Sequence, residues 1–87
     1  MVIYLVVAYT LLKVVPGKEK EVIAKLQEFD EVSEVMGVYG IYDMILKIET
    51  NDVKALDEFI YYKLRVLEGI TETLTFIVSS EIYIKKK

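Results

Sequence analysis

Ser33-Glu34-Val35-Met36-Gly37-Val38-Tyr39, Gly40-Ile41-Tyr42-Asp43 and Met44-Ile45-Leu46-Lys47-Ile48-Glu49 follow one another in the middle of the chain. The outer two segments read as strands, and Gly40 supplies the backbone freedom for a turn between them. A hairpin here splits the sequence into two halves of the same plan. On its N-terminal side, Val2 to Val15 is β-rich and stops at Pro16-Gly17, a pair that ends a strand and opens a helix. From Lys18 to Phe29 the apolar residues Val22, Ile23, Leu26 and Phe29 recur at helical spacing, with Glu21 and Lys25 at i,i+4 on the other side. On the C-terminal side a second helix is expected from about Asp52 to Leu67. Its core stripe is Val53, Leu56, Ile60, Leu64 and Leu67, Asn51 or Asp52 is the N-cap, and Gly69 is the stop. Phe59 is assigned to the core, whereas Tyr62 and Val66 fall on a neighbouring face that would suit either a broad core contact or a second interface. A last strand is expected from Ile70 to about Ile84, followed by Lys85-Lys86-Lys87.

The order β-α-β-β-α-β is the ferredoxin-like arrangement, an α+β fold in a single domain over residues 1–87. An internal echo agrees with it: Leu11-Leu12-Lys13-Val14 recurs as Ile45-Leu46-Lys47-Ile48, each time ahead of a helix. Right-handed crossovers put both helices on one face of a four-stranded antiparallel sheet. The first and last strands then pair, and residues 1–7 and 79–86 are expected to continue as a two-stranded arm. A sheet with one wet face alternates apolar and polar residues. Here Ile3, Leu5 and Val7 are apolar, and so are Val2, Val6 and Ala8 in the other parity. Ile45 likewise lies opposite to Met44, Leu46 and Ile48. Two helices cover only one parity, so the other face is expected to meet a second subunit across a two-fold axis, as in dimeric α/β barrels.

Composition narrows the function. The chain has 87 residues, 54% of them hydrophobic, and a net charge of −3. That balance gives no electrostatic basis for direct nucleic-acid binding. There is no Cys, hence no disulfide and no thiolate metal site, and a reducing cytoplasm suits the chain. No metal or other cofactor is expected. Met1 to Ala8 is apolar but lacks a basic leader and a cleavage pattern, and no apolar run reaches the roughly 18 residues of a membrane span. One Gln, one Asn and abundant Glu, Lys, Ile and Val suggest a heat-adapted (thermophile) source. Without His or Cys the usual proton shuttle and nucleophile are absent, and the serines have no visible base, so the chain is not expected to be an enzyme.

The turn Gly40-Ile41-Tyr42-Asp43 carries more chemistry than a turn needs. Gly40 permits exposed amides to meet a carboxylate, Asp43 can hold an ammonium group, and Tyr42 adds a ring wall and a hydroxyl. Together they suit a zwitterion such as a free amino acid. A plain hairpin with Asp43 bonded to nearby amides accounts for the same residues.

In its setting the turn points further. The chain resembles the effector-binding and oligomerisation (RAM) domain of the Lrp/AsnC family of transcription regulators from about Ala8 to Val78. The resemblance is carried by Ala8-Tyr9-Thr10-Leu11-Leu12-Lys13-Val14-Val15, Pro16-Gly17-Lys18, Gly40-Ile41-Tyr42-Asp43 and Gly69-Ile70-Thr71-Glu72-Thr73-Leu74-Thr75. It implies a homodimer through the sheets, usually a ring of dimers approaching an octamer, and an amino acid effector bound where dimers meet. It places Gly40, Tyr42 and Asp43 on one side of that pocket with Thr73 and Thr75 nearby; β-propensity explains the two threonines equally well. No helix-turn-helix module precedes the first strand, so the domain is expected to be a stand-alone form that co-assembles with full-length regulators. The extended termini put the octamer in question more than the dimer. Two other readings compete: a small enzyme of the dimeric α+β barrel type, disfavoured by the absence of His and the single Arg, Arg65, and a purely structural assembly domain.

Overall fold

The computed structural model describes residues 6–87. Its elements are β1 (Val6–Val14), α1 (Glu19–Leu26), β2 (Val32–Gly37), β3 (Met44–Thr50), α2 (Val53–Phe59) continuing into a π-helical turn (Ile60–Leu64), and β4 (Ile70–Ile77). The sheet order is β2-β3-β1-β4 with all pairs antiparallel, which is the ferredoxin-like topology. The echoed tetrapeptides are the two central strands: Leu11 pairs with Ile45, and Leu12 and Leu46 are both fully buried.

Alternation along β1 and β3 sorts the two faces. Ala8, Thr10, Leu12 and Val14 on β1, and Met44, Leu46, Ile48 and Thr50 on β3, are buried against the helices. The helices contribute Val22, Leu26, Leu56, Phe59 and Leu64 to the same cluster. Phe29 lies beyond the end of α1 yet packs its ring edge-to-face on Phe59, with centroids 5.3 Å apart. Both helices therefore cover one face, which leaves the opposite parity open.

The second helix departs from its expected stripe. Val53 occupies its first position and is 49% exposed, while Phe59 is buried as expected. Beyond Phe59 the helix widens into the π turn, closed by the Arg65 amide donating to the Ile60 carbonyl at 2.9 Å. One extra residue in that turn re-phases the helix, so that Leu64, five residues beyond Phe59, faces the core with it. Asp52 caps the helix as expected, its carboxylate accepting from the Ala55 amide at 2.7 Å. On α1, Glu21 pairs with Lys18 (3.4 Å) instead of Lys25.

The last strand ends at Ile77, short of the expected Ile84. Ser79 is the reason: its hydroxyl accepts from the Glu81 and Ile82 amides at 3.1 and 3.3 Å, turning the chain where a ladder would need those amides. Residues 80–84 thus form no strand, and the expected partner segment of the arm, residues 1–5, lies outside the described residues.

Gly69 shows why the second helix stops where it does. Its φ is +100°, and a Cβ there would lie 3.0 Å from the buried Val22 side chain and 3.2 Å from Lys18. Gly69→Ala should therefore cost about 1–3 kcal/mol, read as a lower thermal midpoint, because strain and crowding act together.

Candidate functional site

The Gly40 turn is held from both sides. Val38 donates to the Asp43 carbonyl at 3.0 Å, and the Asp43 amide donates to the Leu12 carbonyl at 2.8 Å. The Asp43 carboxylate then accepts from the Val14 amide at 2.8 Å, extending the β3–β1 ladder by one side-chain rung. Asp43 is thus a turn carboxylate that grips the neighbouring strand, and one of its oxygens retains acceptor capacity. Gly40 has φ +142°, and a Cβ added there would meet nothing within 4 Å, so its requirement is conformational and not one of space. Among the described residues, the amides of Gly40, Ile41 and Tyr42 donate no hydrogen bond. The flanking Tyr39 and Ile41 side chains are exposed.

Tyr42 is half-buried, with the Lys13 ammonium 5.7 Å from its ring centroid. Lys13 belongs to the open face and also pairs with Glu72 at 3.2 Å. The two threonines lie on the other side of the sheet. Thr75 shares a 2.8 Å hydroxyl–hydroxyl bond with the fully buried Thr10, and Thr73 pairs with the buried Leu12. One subunit therefore brings Gly40, Tyr42 and Asp43 together but holds Thr73 and Thr75 apart from them across β1. Of the two threonines, Thr75 spends its hydroxyl on Thr10, whereas Thr73 borders an open polar pocket of about 460 Å³ with Arg65, Ile70, Thr71 and Glu72.

Arg65 enters the sequence reading only as an argument against an enzyme, and the structure gives it a place at this pocket. It is the only arginine in the chain. The π turn delivers it to this pocket, and its guanidinium carbon stands 5.3 Å from the Tyr61 ring centroid. A lone Arg among many lysines was the available signal, because only a guanidinium offers a planar fork for a carboxylate.

The open face carries Val7, Tyr9, Leu11 and Lys13 from β1 and Ile45, Lys47 and Glu49 from β3. In register with these stand Leu74 and Phe76 on β4 and Met36 on β2. Leu74, Phe76 and Met36 are exposed. Lys13–Glu72 and Lys47 with Glu34 and Glu49 add ion pairs among these residues. Among the described residues no group of three or more acidic side chains is arranged to hold a metal, and no helix is long and apolar enough to cross a membrane.

This fold and turn place the chain among known proteins. The description "Lrp/AsnC ligand binding domain" matches residues 7–87. The chain belongs to the Lrp/AsnC family. It is 39% identical over 75 residues to the HTH-type transcriptional regulator FL11 of Pyrococcus furiosus, covering 86% of this chain and 49% of FL11. It thus spans about half the length of the curated relatives it matches. Among solved structures, that of FFRP-DM1 superposes with a TM-score of 0.83 at 44% identity, covering 86% of this chain and all of the other. The transcriptional regulator NMB0573 of Neisseria meningitidis, solved as a complex with L-Met, shares the fold at a TM-score of 0.84 and 19% identity, over 93% of this chain and 54% of the other. This is the ligand-binding domain of a family linked to transcription regulation.

Proposed function

We propose that the domain is a non-enzymatic sensor that binds a free amino acid at an interface between its own copies and alters transcription through assembly with family regulators in the cytoplasm. The observation that carries this reading is the Gly40 turn. Three amides without partners stand within three residues of a carboxylate that keeps one acceptor oxygen. Amides suit the carboxylate of a zwitterion and Asp43 its ammonium group. Family membership and the L-Met complex of NMB0573 support the class of ligand. Exposed Tyr39 and Ile41 beside the turn support a second protein surface closing over it, since apolar area left in water gains from burial.

One observation favours a different reading. The Asp43 carboxylate already serves the Val14 amide, which is a sufficient structural task. In a purely structural assembly domain that bond would be its whole purpose.

A thermal-shift screen of the free amino acids separates the two, because a ligand specific to the native state raises the midpoint. At 100 times its Kd a binder should add about 2.7 kcal/mol. Asp43→Ala loses the Val14 bond as well as any ammonium contact, so Asp43→Asn is the sharper variant: its amide oxygen can keep the bond to Val14. We expect Asp43→Asn to melt within a few degrees of the unaltered chain and to lose most of the ligand-induced shift. An undiminished shift in this variant would remove Asp43 from the site.

A further inference from the structure

The segment that follows β4 turns back instead of running on along the sheet. We infer that residues 79–84 form a strap across one end of the open face, and that a second copy pairs through that face only after the strap swings away. The inference rests on the assembly between copies proposed above and names the element that regulates it.

Three observations carry it. Beyond the last residue of β4, the Val78 amide still donates to the Val7 carbonyl at 2.8 Å, so the chain stays beside β1 up to that point. The Ser79 hydroxyl then accepts from the Glu81 and Ile82 amides and turns the chain. Past the turn, Tyr83 borders a cleft of about 310 Å³ together with Val7 and Tyr9 of β1 and Lys47 of β3. Those three residues belong to the open face, where Tyr9 stands in register with Lys47 on one side and Phe76 on the other. Tyr83 thus comes back over the two central strands, one rung from Leu11 at the middle of the face.

Sheet spacing makes this placement consequential. Two sheets that pack face to face lie about 10 Å apart, and the side chains of both fill that layer. A further length of backbone with its own side chains does not fit there as well. The strap and a second sheet therefore exclude each other at the Val7–Tyr9 end of the face.

The hold on the strap is slight. Tyr83 is 68% exposed, Ile82 and Ile84 are more so, and Lys85, Lys86 and Lys87 form no ion pair among the described residues. One hydroxyl serving two amides and one partly covered ring keep it in place, few enough contacts to open locally while the sheet stays intact. Pairing needs two open straps, so the effect is squared. A strap closed in about nine copies of ten would raise the apparent Kd for association about a hundredfold.

Sedimentation equilibrium of the full chain and of a chain ending at Val78 is the test, with circular dichroism to confirm the fold. The shortened chain keeps every helix and strand. It also loses three lysines and one glutamate and becomes more negative, which by itself opposes association. We expect its Kd to fall at least tenfold. Ser79→Ala releases the turn without changing charge and should lower Kd severalfold, as should Tyr83→Ala. Leu11→Glu placed in the shortened chain should remain monomeric; association there would mean that the gain arises at another surface and would overturn the strap. Weaker association of the shortened chain would mean that the segment grips the partner, and an unchanged Kd would mean that it lies clear of the interface. Either result overturns the strap and leaves pairing through the open face standing. If neither the full nor the shortened chain associates, the assembly reading falls and the strap falls with it.

Discussion

Leu11→Glu is expected to turn an assembled protein into a folded monomer. Leu11 stands at the middle of the open face, between Ile45 on β3 and Leu74 on β4, with Tyr9 and Phe76 one rung away. In the single chain a carboxylate at this half-buried position still reaches water, so the fold should tolerate it at little cost. Against a second sheet the same carboxylate would be buried without a counter-charge, at about 3–5 kcal/mol per site. Every tenfold in Kd is about 1.4 kcal/mol, so association should weaken at least a hundredfold. Sedimentation velocity at micromolar concentration reads this directly, with circular dichroism to show that the chain remains folded. Lys13→Gln or Glu72→Gln, at an ion pair on the same face, should have a far smaller effect. The contrast separates burial of the apolar centre from a general effect of charge.

Phe59→Ala should be the most damaging single substitution for the fold itself. The ring is 1% exposed, is among the largest fully buried side chains, and is met edge-to-face by Phe29. Truncation removes its transfer free energy and opens a cavity beneath the π turn, about 3–5 kcal/mol in all. The midpoints of chemical and thermal unfolding should both fall steeply. Because Phe59 immediately precedes the π turn, the loss should also loosen that turn. Tyr62→Ala is the companion control, since Tyr62 is 71% exposed and a loss of stability there would point to a contact between copies.

Much of this architecture is legible in the sequence, for identifiable reasons. Pro16-Gly17 and Gly69 mark breaks that no periodicity argument can blur, and the apolar parities of β1 and β3 assign both faces of the sheet. The family landmarks fix the order of elements between Ala8 and Val78. The second helix is less legible because Val53, Leu56, Ile60 and Leu64 fit a 3.6-residue period well, whereas the chain inserts a π turn that no local residue announces. Phe59 is legible as a core residue, but tertiary packing decides that Val53 turns outward. The end of β4 was hidden for a similar reason: Ile82, Tyr83 and Ile84 have strand character, yet the Ser79 hydroxyl captures the amides ahead of them.

For the candidate site, the Gly40–Asp43 turn stands out in the sequence because its residue types exceed what a turn needs. Thr73 and Thr75 do not separate there, since both are β-formers on one strand. Only the structure shows Thr75 bonded to buried Thr10 and Thr73 facing a pocket. Arg65 is invisible to motif reading, because a surface helix gives ordinary grounds for an arginine. Its pocket forms from a helix end and a strand that are joined by Gly69 and a few neighbours.

The central claim is that the ligand site exists only between copies. Equilibrium dialysis of the stabilising amino acid against the assembled wild-type chain and against monomeric, folded Leu11→Glu tests it most directly. Saturable binding to the assembly, with loss of at least a hundredfold in affinity for the monomer, is the predicted result. Equal affinity for the monomer would mean that one chain holds the whole site, and would contradict it.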